Sequence, residues 1–204
     1  VLSPEEALKR AGRSLRFICH PTPFANGNEY WPMHDIKSMQ SLFDGIEIYN
    51  GHYGIRPMIE TGHTPDYRKT WDNLLSSGCR LWGYANDDFH EISDFNNAFN
   101  MVLVDTVDAA GIIDSTKKGS CYASTGLLLK QIEHTNDLLD IELMETAFCR
   151  LSGNNGKTLA EEETCIFKAD LNQFTEPYIR FEAVKGDKML CLQPFFRKQA
   201  EYTP

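Results

Sequence analysis

The sequence predicts an α/β protein whose first part alternates helices with short strands and whose last part is antiparallel β. Between residues 1 and 130, helix signals separate short apolar runs, the pattern of parallel strands joined by crossover helices. After Thr125 the runs are separated by turn residues, with Asn155-Gly156 and Gly186-Asp187 suited to tight hairpins. We therefore predict two parts, 1–130 and 131–204, that pack directly on each other.

Boundary residues define the elements of the first part. Ser3 and Glu6 form a capping pair at the start of a helix that ends near Gly12. The apolar run that follows, over 15–21, predicts the first strand. Further helices are predicted over 35–42, 66–78 and 108–118, further strands over 44–50, 79–85, 99–105 and 120–124, and a loop over 51–65.

Composition is that of an ordinary globular protein. The chain has 204 residues, 42% of them apolar, which is enough for a substantial core. Its apolar runs fall far short of the roughly 20 residues that cross a bilayer, so we predict no membrane segment. The formal net charge of −9 repels phosphate backbones and disfavours nucleic acid as a partner. These features give no oligomeric state, and no location beyond a weak preference for the cytoplasm.

The six cysteines are scattered without a C-x-x-C pair, and several lie in apolar runs. Buried free thiols are therefore favoured over a disulfide framework or a zinc knuckle. The first residue is Val1 and not methionine, which favours a native start further upstream.

Polar side chains follow three of the predicted parallel strands. In chain order they are His20, then Glu47, Asn50 and His52, then Asp88 and His90. Ligands of α/β proteins collect at the carboxyl ends of strands, where loops converge. Because Asp88 and His90 are two residues apart, both point to the same side of an extended backbone, as a chelate requires. The sequence therefore predicts a site for zinc, manganese or iron.

Each of these residues also has a simpler interpretation. His20 suits a hydrogen-bonded histidine at a strand end, Asp88 suits a turn cap, and Glu47 suits a solvated strand position. The residue pattern by itself leaves these alternatives open.

Several segments between Phe17 and Lys130 carry a family resemblance. They are FICHP, FDGIEIYNGHYG, WDNLLSSGCRLWGYANDDFH, NMVLVD and STKKGSCYASTG. In order, spacing and flanks they resemble the second half of the polymerase and histidinol phosphatase (PHP) superfamily of metal-dependent phosphoesterases. The later run YIRFEAVKGDKMLCLQPFF resembles the small β extension of a branch that includes carbaryl-hydrolase-like enzymes. The resemblance implies a distorted (β/α) barrel, incomplete at the N-terminus, with a small antiparallel β extension.

The resemblance also implies a site and a reaction. His20, Asp88 and His90 match metal ligands of the family, and the metal would be Mn, Zn or Fe in unknown number. The implied activity is hydrolysis of a small phosphate mono- or diester by metal-activated water, with Asp88 and His90 catalytic. The implied substrate-binding residues are Glu47, Asn50 and His52.

The chain departs from the family before His20. Only 19 residues precede His20, and they contain neither the His-x-His strand nor the Thr-Asp-His segment of the family. The chain is then either the distal part of a longer protein or a remnant that has lost its first ligands. For these 204 residues alone we expect little turnover.

A function of another class is a non-catalytic module that binds a ligand or a carbohydrate. Tyr30, Trp31, Tyr49 and Tyr53 are spaced along predicted loops and a strand end, and such side chains stack on sugars. Metal content would distinguish this module from the hydrolase.

Overall fold

The chain folds into two β-sheets and six α-helices, in a computed structural model that describes residues 2–24 and 27–197. Residues 198–204 of the predicted extension lie outside the described residues. The strands are β1 (Phe17–Ile18), β2 (Gly45–Asn50), β3 (Trp82–Asn86), β4 (Phe99–Val102), β5 (Cys121–Ser124), β6 (Leu129–Thr135), β7 (Leu138–Ser152), β8 (Thr158–Asp170), β9 (Tyr178–Lys185), β10 (Lys188–Leu192) and β11 (Phe195–Phe196). The helices are α1 (Pro4–Arg10), α2 (Met33–Ser38), α3 (Gly51–Gly54), α4 (Arg56–Glu60), α5 (Arg68–Ser76) and α6 (Ala109–Lys117).

The larger sheet has eight strands and is organised around β7. One edge of β7 pairs with β8, while the other pairs first with β6 and then with β9. From β9 the sheet continues through β10 and β5 to β4, always antiparallel. The antiparallel pairing predicted after Thr125 is confirmed. Positive φ at Asn155 (55°) and Gly186 (61°) places the predicted turn residues where hairpins need them.

The smaller sheet contains β1, β2 and β3 in that order, all parallel. α5 lies between β2 and β3 in the chain and buries Trp71, Leu74 and Leu75. The indole of Trp71 donates to the carbonyl of Leu81, 2.9 Å away, which ties the helix to the start of β3. The core around this sheet also takes Ala123 of β5, Tyr178 of β9 and Met189 and Cys191 of β10. The two sheets therefore share this core, and a second core cluster belongs to the large sheet alone.

The predicted (β/α) barrel is wrong. Strands make up 37% of the chain and helices 27%, and the described residues contain no (β/α) barrel. β4 and β5, predicted as parallel strands, pair antiparallel, with Phe99 opposite Ser124 and Val102 opposite Cys121. α6 lies between them in the chain, but β5 begins at the same end of the sheet at which β4 finishes, so the two strands run in opposite directions. A helix between two strands therefore does not make a crossover here.

Side chains from outside the parallel sheet close the free edge of β3. The amide of Asn100 donates to the carbonyl of Ala85 (2.6 Å) and accepts from its N–H (3.0 Å). The amide of Gln193 donates to the carbonyl of Gly83 (2.8 Å) and accepts from its N–H (2.8 Å). A fourth parallel strand would need these same backbone groups. The parallel sheet therefore ends at β3, which is the physical reason that it does not continue into a barrel.

A buried ion network joins α5 to the large sheet. Arg180, 2% exposed, donates to both carboxylate oxygens of Asp72 at 2.8 and 2.7 Å and to Glu182 at 2.5 Å. Arg68 also donates to Glu182, at 3.1 Å. Burial raises the pKa of Glu182, but the guanidinium groups of Arg180 and Arg68 outweigh this effect and lower the pKa to about 2. The carboxylate is therefore held ionised inside the protein.

The six cysteines are free, as predicted, and three of them are buried: Cys79, Cys149 and Cys191. No helix among the described residues is long and apolar enough to cross a membrane.

Candidate metal centre

The carboxyl ends of the three parallel strands bring polar side chains together. His20 lies two residues beyond β1, Glu47 and Asn50 belong to β2, and Asp88 lies two residues beyond β3. Glu47 is 1% exposed and Asn50 is fully buried. Glu47 is therefore not a solvent-exposed strand residue, which was the simpler interpretation considered for it. A buried carboxylate at this position needs partners.

The imidazole of His20 lies between two carboxylates. Its Nδ1 is 3.7 Å from Glu47 Oε2, and its Nε2 is 3.6 Å from Asp88 Oδ2. Both distances are too long for a hydrogen bond. Nδ1 is also buried and has no hydrogen-bond partner within 2–24 and 27–197. A buried polar atom without a partner is costly, so its presence needs an explanation such as a bound ion.

The backbone at both residues adopts an uncommon conformation. His20 and Asp88 each have φ of 50°, in the left-handed region that glycine favours. Such residues cost about 1–3 kcal/mol and concentrate at functional sites. The conformation at His20 is held by its N–H, which donates to Glu47 Oε2 at 2.9 Å. The strain at the two strand ends therefore serves to direct the two side chains toward each other.

Amide side chains surround the buried Glu47. Asn86 donates to Glu47 Oε1 at 3.2 Å, and Asn50 is 3.3 Å from the same oxygen. Asn50 also donates to Asp88 Oδ2 at 3.1 Å. Burial raises the pKa of Glu47, and the hydrogen bonds and His20 only partly oppose that shift. A positive charge placed nearby would favour the ionised form of this carboxyl.

A second group of potential ligands lies next to the first. His52, His90 and Asp94 each offer one ligand atom within 4.8 Å of the other two. The Nδ1 of His52 donates to Asp94 Oδ1 at 2.8 Å, and the Nδ1 of His90 donates to the carbonyl of Asp88 at 2.5 Å. Because both Nδ1 atoms are donors, each ring keeps the lone pair of Nε2 for a ligand.

Asp94 orients this second group. Its Oδ2 accepts from the N–H of His90 (2.8 Å) and of Glu91 (2.9 Å). Burial raises the pKa of Asp94, but these bonds and the one from His52 outweigh burial and lower it below the ordinary value. Asp94 was not among the predicted site residues, since an aspartate four residues after a histidine in a polar loop has no distinguishing pattern.

The predicted ligands therefore separate into two neighbouring groups. The contacts bring His20 and Asp88 together, whereas the ring of His90 lies against His52, with ring centroids 4.5 Å apart. His52, predicted to bind substrate, lies among the potential ligands. Glu47 and Asn50, also predicted to bind substrate, lie behind His20 and Asp88 and contact them directly.

Aromatic rings surround His20 on its open side. Its ring centroid is 5.2 Å from that of Tyr53, 5.6 Å from Tyr30 and 6.3 Å from Phe24. Trp31 packs instead on Phe43, with centroids 5.4 Å apart, and Tyr49 packs against the core. Of the four aromatic residues considered for a binding module, Tyr30 and Tyr53 contact the ring of His20, and Trp31 lines a neighbouring pocket together with His20 and Tyr30.

The thiol of Cys19 lies close to these acids but stays protonated. Although part of the residue is exposed, desolvation of the thiol, together with the negative charges of Glu47 and Asp88, raises its pKa to about 12. A thiol with such a pKa is a poor nucleophile at neutral pH. The candidate chemistry therefore rests on imidazoles and carboxylates.

The donor set fits a divalent cation. Two ligands of a tetrahedral zinc ion are separated by roughly 3.3–3.4 Å when each bond is about 2.0–2.1 Å long. The 3.6 Å between His20 Nε2 and Asp88 Oδ2 is close to this value. Imidazole with carboxylate suits zinc, manganese and iron. The unpartnered Nδ1 of His20 and the raised pKa of Glu47 indicate a place where positive charge is missing.

Comparisons with protein-family models, with curated proteins and with solved structures gave no match to this chain. The likeness to the PHP superfamily consequently rests on the motifs quoted above. The site itself rests on the geometry of its side chains.

Proposed function

We propose that the chain carries the site of a metal-dependent hydrolase that acts on a phosphate mono- or diester. The observation that supports this most directly is the approach of His20 to Asp88 at 3.6 Å without a hydrogen bond, from two residues with left-handed backbone. Neither feature stabilises the fold by itself. Both are accounted for if the two side chains hold a cation.

His20 and Asp88 would hold the ion, and His90 and His52 are the next ligands available to it or to a second one. When bound, a divalent ion lowers the pKa of a coordinated water from about 15.7 toward about 7 and polarises a phosphoryl oxygen. The protein's own groups prepare the site for this ion. Asn50 orients Asp88, and Asp94 fixes the tautomer of His52.

Calorimetric titration with Zn²⁺ and Mn²⁺ tests the proposal. The Asp88→Asn variant replaces a full negative charge with a dipole of nearly the same shape, so we expect it to weaken metal binding at least about tenfold. Its melting temperature without metal should stay close to that of the wild type. Asp105→Asn, an exposed aspartate away from the site, is the matched control and should bind metal normally.

Hydrolysis of p-nitrophenyl phosphate and bis-p-nitrophenyl phosphate is measured with the natural protein that contains these residues. We expect activity that requires added metal and is lost in Asp88→Asn. Hydrolysis by the metal-free protein, or unchanged metal binding by Asp88→Asn, would overturn the proposal.

A further inference from the structure

A small cavity lies beside the candidate metal centre. It has a volume of about 190 Å³, and its lining includes Thr22, Phe24, Tyr53, His63, Thr64 and Tyr67. Tyr53 connects the cavity to the centre, because its ring is also 5.2 Å from that of His20. Thr22 and Phe24 follow His20 in the chain and form another wall. The proposed metal ligands do not line the cavity themselves, so a ligand in it would be separated from His20 by the rings of Tyr53 and Phe24.

The end of α4 places His63 in the wall of the cavity. Gly62 takes φ of 87°, which lets the chain turn so that the N–H of His63 donates to the carbonyl of Met58 at 3.1 Å. The His63 ring then lies 4.4 Å from that of Tyr53, at an interplanar angle of 42°. A hydrogen bond of 3.0 Å between Thr61 Oγ1 and His63 Nδ1 fixes the ring further.

Aromatic faces and edges form most of the remaining boundary. The ring of Phe24 lies 6.3 Å from both Tyr53 and His63, at 75° to each. Rings arranged edge to face in this way present both negative π-faces and positive edges, and a planar ligand can stack on the former and contact the latter. The cavity is thus better suited to a planar group than to a branched aliphatic one.

Tyr67 supplies an unused hydrogen-bond donor. The residue is only 3% exposed, lines the cavity, and its hydroxyl has no hydrogen-bond partner in the described part of the chain. Burial and the negative charge of Glu47 are the main causes that raise the pKa of Tyr67, so the hydroxyl keeps its proton. The hydroxyl oxygen itself is not fully buried, so water can satisfy it, and a ligand in the cavity could accept its hydrogen bond in place of water.

The volume limits what can bind. An engineered protein cavity of about 150 Å³ holds one benzene molecule. At about 190 Å³ the cavity has room for a single ring with a small substituent, and a larger group would extend past the exposed Thr61 and Thr64 into solvent.

We propose that this cavity is the subsite for the organic group of the phosphate ester, that this group is a single planar ring, and that the Tyr67 hydroxyl donates to an acceptor on it. The inference rests on the proposed function, since the phosphate of such a ligand would lie at the metal centre. It adds a substrate class, monocyclic aryl or heteroaryl esters, which the metal ligands alone do not specify.

Binding of phosphonates to the Zn²⁺-loaded protein tests the inference, because their carbon–phosphorus bond is not hydrolysed. The probes are methyl-, phenyl-, pyridin-4-yl- and 1-naphthylphosphonate, with affinities measured by calorimetry. We expect phenylphosphonate to bind at least about tenfold more tightly than methylphosphonate, since one apolar group in a fitted pocket contributes about that factor or more. Naphthylphosphonate should bind no more tightly than phenylphosphonate, because its second ring would extend beyond the cavity.

Two variants test separately the space in the cavity and its hydrogen-bond donor, the hydroxyl of Tyr67. Thr64→Trp fills the cavity from an exposed position and should abolish the preference for phenyl over methyl, while binding of methylphosphonate persists. Thr158→Trp, on an exposed position of β8, is the matched control and should keep the preference. Tyr67→Phe retains the ring, so it should keep the preference for phenyl and weaken only pyridinylphosphonate, by several-fold.

The outcomes separate the two proposals. If methyl- and phenylphosphonate bind equally well to the metal-loaded protein, or if Thr64→Trp leaves the preference unchanged, the inference is wrong and the proposed function stands. If no phosphonate binds although Zn²⁺ is bound, or if Zn²⁺ itself does not bind, the proposed function fails and the inference with it.

Discussion

The two sheets of this protein differ in how their buried charged and polar groups are paired. In the large sheet, Arg180 satisfies Asp72 and Glu182 with hydrogen bonds of 2.5 to 2.8 Å. At the end of the parallel sheet, His20 lies 3.6 to 3.7 Å from Asp88 and Glu47, and one of its nitrogens has no partner among the described residues. The carboxylates of the first arrangement are paired with guanidinium groups, although Arg150, whose Nη2 also donates to Glu182, has an Nε without a partner among the described residues. In the second arrangement the imidazole lies near two carboxylates without a hydrogen bond to either.

This difference helps to distinguish a structural ion network from a candidate binding site. A compensated buried ion pair can be explained by the fold alone, because each charge already has a partner of opposite sign. Uncompensated groups that converge on one point, held by strained backbone, indicate that something else binds there. The predictions below test whether the two regions respond to change as this comparison requires.

The largest effect is expected from breaking the buried ion network around Arg180. Arg180→Met leaves Asp72 and Glu182 buried without their main partner, so the free energy of unfolding should fall by about 3–5 kcal/mol. Urea denaturation measures this change. Lys185→Met removes the nearer of the two lysine partners of Glu145 in an exposed ion pair and should leave the stability almost unchanged. A loss below 1 kcal/mol for Arg180→Met would show that the network is not compensated as described.

Acid should weaken the same network. The pKa of Glu182 is about 2 in the folded protein and 4.5 ordinarily, so its ionised form contributes stability above pH 4.5. That contribution is lost as the pH falls from 4.5 through 2, by at most about 1.4 kcal/mol for each pH unit. Unfolding by urea at a series of pH values measures the slope. Glu182→Gln should have a shallower slope over this interval, and an equal slope would exclude Glu182 as its source.

The site at His20 should respond to metal, and the ion network around Arg180 should not. Zn²⁺ at about 100 times its dissociation constant should raise the free energy of unfolding by about 2.7 kcal/mol. His20→Asn should abolish most of this gain, since asparagine tolerates the left-handed backbone at this position but lacks the imidazole. His34→Asn, at an exposed histidine, is the control. Equal stabilisation of His20→Asn and wild type would place the metal elsewhere.

A smaller effect is expected where the two sheets meet. Gln193→Met removes the amide that satisfies both backbone groups of Gly83, so the free energy of unfolding should fall by about 1–3 kcal/mol. Hydrogen exchange should then accelerate at the N–H of Gly83 more than at that of Ala85, which keeps Asn100. An unchanged exchange rate at Gly83 would contradict this role, because it would mean that the hydrogen bonds of Gln193 do not protect the N–H of Gly83.

Local sequence signals predicted the elements better than their arrangement. The capping pair Ser3 and Glu6 is present at the start of α1, and the turn residues Asn155 and Gly186 lie at hairpins. The barrel was wrong because strand direction at β4 and β5 depends on contacts between distant parts of the chain. Asn100 and Gln193 bond to the edge of β3 from 15 and 110 residues away along the chain. The local periodicity of apolar residues contains no information about such distant contacts.

The site shows the same limit. The strand ends carrying His20, Glu47 and Asp88 could be located in the sequence, since apolar runs end there in polar residues. Asp94 and Tyr67 could not be assigned, because their roles depend on how the loops fold back. The segment 51–65 was predicted as a loop and contains the two short helices α3 and α4, which bring His52 and His63 to the site.

The amide side chains of Asn100 and Gln193 also bear on how this protein meets other molecules. An open strand edge is a template on which extended segments of other chains can add by backbone pairing. Here the N–H and C=O groups of Gly83 and Ala85 are already occupied by two side chains. Removal of both amides would leave four buried backbone groups of β3 without partners. These two side chains thus occupy, from within the same chain, the places that a fourth strand would take.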